Sequence, residues 1–162
     1  MASSIKLEVN FSDMLEKIKK AGGDIDDVTM KCAQECAKTI RGELVSEAHA
    51  SGVPSNVTEE IQHNVTKNGN RFKIEAGWKL GEYNPGNPSA GYKAIFLNYG
   101  TARRAVKKER IHHVVSGKWK TLGTNRGAVT GRGFIDRAQK GAKKKIKAIQ
   151  KDAVKKTLKE LT

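Results

Sequence analysis

The sequence predicts an α+β fold, in which a small antiparallel sheet is packed by a long central helix and a long basic C-terminal helix. Three patterns predict it: strand-like alternation near the N-terminus, a second alternation on both sides of Asn68-Gly69, and two long stretches with helical spacing of apolar residues. The 162 residues fit a single domain over 1–162, from which we expect a basic loop at about 102–132 to project.

The first half begins with a predicted strand at residues 5–11, where apolar and polar residues alternate. A short helix should follow, since Ser12 and Asp13 are suitable N-cap residues. From 26 to 50, apolar residues recur every three or four positions, which predicts the longest helix of this half. It contains Cys32 and Cys36, which we interpret as buried free thiols, because two turns of one helix give poor disulfide geometry.

Three further strands are predicted at residues 58–67, 70–79 and 93–99. The first two alternate on either side of Asn68-Gly69, a strong hairpin signal. His63 falls in the apolar register of its strand and has no ligand partner at zinc spacing, so we expect a partly buried, hydrogen-bonded histidine.

The stretch around Gly100 is the first of two related segments in the chain. The apolar run Ala94-Ile-Phe-Leu leads into Tyr99-Gly100-Thr101, and a related pattern recurs at Gly131-Arg-Gly-Phe-Ile-Asp-Arg-Ala138. A glycine at the end of a buried run allows turn conformations that other residues avoid. We therefore expect the two segments to bracket a loop that leaves the core and returns to it, a common location for function.

Net positive charge is confined to the second part of the chain. Residues 1–100 hold 12 Lys and Arg against 13 Asp and Glu, a net charge of −1, whereas residues 101–162 hold 19 against 4, a net charge of +15. This asymmetry favours a partner surface that is acidic or rich in phosphate. The alternative is a solvated basic face that serves only solubility.

The loop at 102–132 carries the candidate partner-contact residues. They combine cations with one aromatic side chain: Arg103, Arg104, Lys107, Lys108, Arg110, Lys118, Trp119, Lys120, Arg126 and Arg132. Such a mixture can clamp phosphates and stack on a base. It is also typical of a loop that becomes ordered on contact with a neighbouring subunit, which is the hypothesis we favour.

A long amphipathic helix of roughly 25 residues is predicted from Phe134 onward. Its narrow apolar stripe faces inward, and most of its other residues are lysines. The lysine face could bind nucleic acid or an acidic protein ring. Alternatively, it is a solvated helix whose lysine stems lie over their own apolar stripe.

Several classes of function have no support in the sequence. No nucleophile motif, metal-ligand cluster or cofactor motif occurs, so we predict no catalytic, cofactor-binding or metal-binding residues and no enzyme activity. Residues 127–133 are glycine-rich but lack the Gly-Lys-Ser/Thr ending of nucleotide-binding loops. The N-terminus lacks signal-peptide character and no apolar stretch approaches ~20 residues, so we expect a soluble protein made inside the cell.

The order of these features resembles the head-tail joining, or tail-completion, family of long-tailed phages. The resemblance rests on a helical first half, a hairpin, Phe96-Leu-Asn-Tyr-Gly-Thr101, a basic loop, and Gly133-Phe-Ile-Asp-Arg-Ala138 at the start of a lysine-rich helix. Many members have Pro where this chain has Gly133, and the basic loop is longer here. The matched positions, which the resemblance implies are scaffold, are Tyr99, Gly100, Thr101, Phe134 and Ala138.

This resemblance implies a structural protein of the virion neck without catalytic residues. It implies a homo-oligomeric ring, six-fold, between the head connector and the tail tube, in contact with other neck and tail proteins and with DNA passing through the channel. The protein would be found in the virion and, during assembly, in the host cytoplasm. The competing hypothesis is a nucleic-acid-binding protein that uses the basic loop and C-terminal helix, although no helix-turn-helix, RNA-recognition or zinc-finger pattern is present.

Overall fold

The computed structural model describes residues 4–20, 25–68, 71–81, 84, 87–101, 112–115, 118–121 and 128–160. Helices and strands occupy most of these residues. In chain order they are β1 (Ser4–Asn10), α1 (Ser12–Lys20), α2 (Ile25–Ala50), α3 (Ser55–Thr58), β2 (Gln62–Asn68), β3 (Arg71–Gly77), α4 (Ala90–Tyr99), β4 (His112–Val115), β5 (Lys118–Thr121) and α5 (Phe134–Glu160). None of the described helices is both long and apolar enough to cross a bilayer.

The main sheet has three antiparallel strands in the order β1-β3-β2. Leu7 of β1 and Val65 of β2 lie on either side of Ile74, so one face of the sheet carries an apolar row. The predicted strands at 5–11 and 70–79 are confirmed with small changes in their ends. The strand predicted from residue 58 starts only at Gln62, because Thr58 belongs to the short helix α3 that follows Pro54.

The core lies between this sheet and two long antiparallel helices, α2 and α5. Both helices present an apolar stripe inward, and the buried residues include Cys32, Cys36, Ile40, Leu44, Phe134, Ala138, Ala142 and Ile146. The C-terminal half of α2 lies beside the N-terminal half of α5, as the ion pairs from Glu47 to Arg137 and from Glu43 to Lys145 show. The predicted α+β class and both long helices are confirmed, and Cys32 and Cys36 are buried free thiols, as predicted.

The strand predicted at 93–99 is wrong, because these residues belong to helix α4. A short apolar run cannot be assigned to a strand or a helix by periodicity alone. The four-residue spacing of the buried Ala90, Ala94 and Asn98 is helical, and it places one face of α4 against the core.

Two further features of the strands differ from the sequence expectation. His63 is exposed rather than partly buried, because β2 is an edge strand whose residues are exposed apart from the half-buried Val65. The segment predicted as a basic loop contains β4 and β5, which pair antiparallel in a sheet of their own. Its β-branched and aromatic residues lie on either side of Ser116-Gly117, which is a strand-forming composition.

Trp78 connects three parts of the core immediately after β3. Its indole Nε1 donates a hydrogen bond of 2.6 Å to the Val57 carbonyl of α3. Its ring meets Phe134, the first residue of α5, edge to face at 6.1 Å between centroids. The start of α5 is thereby fixed against the sheet, which determines where the chain re-enters the core.

Candidate assembly site

The end of α4 and the start of α5 are joined by backbone hydrogen bonds between residues 97–101 and 129–133, which we call the clasp. Thr101 N donates to Val129 O at 2.9 Å, and Val129 N donates to Thr101 Oγ1 at 3.1 Å. Arg132 N donates to Leu97 O at 3.0 Å, on the other side of the crossing. The chain between Thr101 and Val129 therefore leaves and returns at one place, as the paired motifs predict.

Two glycines allow the clasp to form. Gly100 has a φ of +80°, and a Cβ there would lie 2.5 Å from the Val129 carbonyl oxygen. A Cβ on Gly131 would lie 2.7 Å from the Tyr99 carbonyl carbon. Both separations are far below van der Waals contact, so the two segments can cross at this distance only without side chains at these positions.

Asn98 connects the clasp to the first turn of α5. Its backbone oxygen accepts a hydrogen bond from Gly133 N at 3.0 Å, and its buried side-chain Oδ1 accepts one from Ile135 N at 2.9 Å. The first amides of a helix have no partner within the helix. Asn98 supplies one from a distant part of the sequence, so the end of α4 caps the start of α5.

Arg132 and Arg137 connect the clasp to the C-terminal end of α2. Arg132 Nη1 donates to the carbonyls of Ser51 and Gly52 at 2.6 and 2.8 Å. Arg137 donates through Nε to Glu47 Oε2 at 2.9 Å and through Nη2 to Ser51 Oγ at 2.6 Å. Ser51 and Gly52 lie just beyond the last residue of α2, and cations near the C-terminal end of a helix interact favourably with its dipole. Arg132, a candidate partner contact from the sequence, thus has a role within the fold.

The clasp also carries exposed apolar side chains. Tyr99 is 65% exposed and Val129 is 41% exposed, and both lie where the chain leaves and re-enters the core. The family motif places Tyr99 with the scaffold, but its ring is not part of the core. By contrast, Phe134 and Ala138 are fully buried, and Gly100 and Thr101 form the clasp itself.

The exposed surface of α5 is strongly basic. Its exposed lysines are Lys140, Lys143, Lys144, Lys145, Lys147, Lys151, Lys155, Lys156 and Lys159. On the side that faces α2, Lys145 forms an ion pair with Glu43, and Arg137 forms one with Glu47. Acidic residues of the neutral half thus neutralise only part of the charge on this helix.

The other loop residues singled out from the sequence are placed only in part. Arg103, Arg104, Lys107, Lys108, Arg110 and Arg126 lie outside the described residues. Lys118, Trp119 and Lys120 belong to β5, where Trp119 pairs with Val114 and Lys120 with His113. Of the ten candidates, the structure therefore gives side-chain contacts for Arg132 alone.

The sequence patterns did not reveal the capping role of Asn98 or the link that Arg137 and Glu47 form between α5 and α2. One signal was available: the residues before α5 are Gly131-Arg-Gly133, which offer no side-chain oxygen to cap a helix. A missing local cap implies a cap from elsewhere. The contacts of Arg137 could not be predicted, because they depend on the antiparallel placement of α2 and α5.

Comparison with known proteins identifies no relative of this chain. It matches no protein-family model, no curated protein and no solved structure. In the part of the chain that the structure describes, no group of three or more His, Cys, Asp or Glu residues is placed to hold a metal ion. The clasp, its exposed apolar residues and the basic helix are thus the candidate functional features of the described structure.

Proposed function

We propose that this protein is a structural subunit of the neck of a long-tailed phage. It joins the filled head to the tail by assembling, as a homo-oligomeric ring of six copies, between the head connector and the tail tube. The segment between the two halves of the clasp contacts a neighbouring subunit or the ring above or below. Other neck and tail proteins are its partners, and DNA passing through the channel lies next to its basic surface.

The observation that carries this proposal is the clasp. The two short motifs that resemble the tail-completion family lie about 30 positions apart in the sequence, yet they are hydrogen-bonded to each other. A segment held at both ends by a rigid scaffold can differ in structure between free and assembled states without disturbing the fold. The +15 net charge of residues 101–162 supports contact with acidic surfaces.

Complementation of phage particles tests this proposal. Phage that cannot make the protein should accumulate filled heads and separate tails, and added purified protein should join them. A variant with Arg103, Arg104, Lys107 and Lys108 all changed to Glu should fail to join them while keeping its helical circular dichroism spectrum. Joined, infectious particles made without the protein would overturn the proposal. Full joining activity of the variant would show that the segment between the clasp halves takes no part in joining.

A matched variant controls for the loss of positive charge. Lys38, Lys140, Lys156 and Lys20 are exposed lysines of the described helices outside this segment, and changing all four to Glu lowers the net charge by the same amount. This variant should still join heads to tails. Equal failure of both variants would mean that overall charge, rather than the segment between the clasp halves, supports joining.

A second candidate function, nucleic-acid binding, is favoured by the row of exposed lysines on α5. Each phosphate neutralised on duplex DNA should steepen the dependence of affinity on salt by about 0.9 in log-log slope. Titration of a labelled duplex at several salt concentrations measures that slope. A steep slope with tight binding at physiological salt would favour this function, whereas a flat response would exclude it.

A further inference from the structure

A groove runs between β1 and α5, and none of its lining residues belongs to α2. It consists of two adjoining cavities of about 410 and 390 Å³, and Asn10, Lys147 and Gln150 line both. The Gln150 side chain donates a hydrogen bond of 3.2 Å to the Asn10 backbone oxygen and marks the point where the two cavities meet. The groove therefore has two adjoining parts, with walls from α1, β1 and α5, and this hydrogen bond bridges the walls between them.

The wall formed by β1 is a strand edge. In the described part of the chain β1 pairs only with β3, so its other edge has no strand partner. Leu7 and Val9, which point toward the core, and Glu8, which points to the opposite face, all line the same cavity. Side chains from both faces can line one cavity only if it runs along the edge, where outward backbone N–H and C=O groups lie.

The opposite wall is positively charged above an apolar floor. The groove is lined by six lysines, Lys17, Lys143, Lys144, Lys147, Lys151 and Lys155, against two carboxylates, Glu8 and Asp13. Within the described residues, none of the six forms an ion pair. Their charges are available to a ligand, and Ile146 and Val154 provide apolar contact between them.

We propose that this groove binds an extended acidic segment of a partner protein, which adds as a strand to the free edge of β1. Its backbone would pair with β1, and its alternate side chains would place carboxylates against the lysines of α5. The incoming strand would pair along Leu7 to Asn10, about 13 Å of extended chain, and would replace the Gln150 hydrogen bond to the Asn10 oxygen. Binding here does not require the neck function and could be observed if that function were wrong.

A protein segment fits these features better than a nucleic acid does. A strand edge offers both donors and acceptors, which a peptide backbone matches in alternation. Phosphate oxygens are acceptors only and leave the β1 carbonyls without partners. The apolar floor has no role toward a sugar-phosphate backbone, whereas it suits the uncharged side chains between the acidic ones.

Peptide binding tests this proposal directly. The probe is a synthetic peptide of about ten residues with alternating Thr and Glu, titrated into the full chain at about 0.15 M salt. We expect slowed amide hydrogen exchange at alternate residues of β1 (Ser4–Asn10), measured by NMR. A peptide of alternating Thr and Gln and one of alternating Pro and Glu should bind at least about ten-fold more weakly, since the first lacks charge and the second lacks half of the amide donors.

Two protein variants with equal charge separate the groove from general attraction to a basic protein. Lys147→Glu with Lys151→Glu removes groove charges and should weaken Thr-Glu peptide binding about ten-fold. Lys38→Glu with Lys140→Glu changes exposed lysines that do not line the groove and should have less than about a two-fold effect.

Four other results would each overturn the proposal. Equal loss in both variants would show unspecific charge attraction, and equal binding of the Pro-Glu peptide would rule out strand addition. Duplex DNA is the competing ligand. If it displaces the peptide, binds more weakly to the groove variant alone and leaves amide hydrogen exchange of β1 unchanged, these lysines bind nucleic acid instead. Absence of peptide binding up to about 1 mM would show that the groove does not take such a segment.

Discussion

Gly100 is the position in the clasp where a side chain would do most damage. Gly100→Ala combines a φ of +80° with a Cβ 2.5 Å from the Val129 oxygen, so we expect it to lower the free energy of unfolding by about 2 kcal/mol or more. Gly133→Ala is the matched control: its φ is +59°, but its nearest neighbour is Arg137 Nη1 at 3.7 Å, so about 1 kcal/mol should be lost. Urea denaturation measures both, and equal losses would contradict the close crossing.

Asn98 gives a second prediction at this scale. Asn98→Ala removes the acceptor of the Ile135 amide and leaves that buried N–H without its partner, so unfolding free energy should fall by about 1–3 kcal/mol. Asn64, exposed on β2, is the matched control, and its change to Ala should cost no more than about 0.5 kcal/mol. Thermal denaturation compares the two variants, and similar midpoints would remove Asn98 from its capping role.

The paired thiols give a prediction about pH. The hydrogen bond with Cys32 and burial together raise the pKa of the Cys36 thiol well above its ordinary value. A raised folded-state pKa contributes stability that is present below the ordinary thiol pKa and is lost as the pH rises above it. Cys36→Ala should therefore flatten the decline in stability above about pH 8.5, measured by urea denaturation across pH. An unchanged decline in stability would contradict the raised pKa of Cys36.

For single residues, sequence patterns predicted burial more reliably than they predicted the contacts that a buried residue makes. Phe134 and Ala138 could be placed in the core because they begin a periodic apolar stripe. Tyr99 belongs to the same motif, yet it is exposed, because it lies on the outer face of the last turn of α4. A motif gives no information on which face of an element each of its members occupies until the element type is known.

At the scale of elements, the misassignment of α4 shows where periodicity fails. Residues 94–97 form a four-residue apolar run, which suits a buried strand as well as a helix turn. The long helices α2 and α5 were predictable because their patterns repeat over many turns. The β1 edge and its groove were not, because strand order depends on the return of β3 between β1 and β2.

The clasp predicts that the segment it holds can be removed. Residues 103–127 replaced by a Gly-Ser linker of about four residues should leave the fold intact, since Thr101 and Val129 are already hydrogen-bonded and β4 pairs with β5 in a separate sheet. The melting temperature should change by no more than a few degrees. Calorimetry measures it, and a loss of cooperative unfolding would show that the segment contributes to the core.

At the scale of the whole molecule, the uneven distribution of charge bears on stability. The net charge of +14 comes from the part of the chain after Gly100, and α5 carries much of it along one face. Glu43 and Glu47 of α2 offset two of its cations. The remaining repulsion is a cost of the free protein, which a bound anionic surface would relieve.

This repulsion leads to a prediction about salt. Raising NaCl from about 0.05 to 0.5 M should raise the melting temperature of the free protein, because screening weakens repulsion among like charges. The rise should be smaller for the Lys147→Glu and Lys151→Glu variant, whose net charge falls from +14 to +10. A melting temperature that falls with added salt in both proteins would show that attractive ion pairs dominate instead.

The antiparallel pairing of α5 with α2 also determines when the protein can fold during its synthesis. Asn10, near the start of the chain, is hydrogen-bonded to Gln150, and the core seals only when residues 134–146 pack against α2. A nascent chain that ends before residue 134 therefore lacks one side of the core. Neither the clasp nor the groove exists until α5 has been translated, so neither can take part in binding before then.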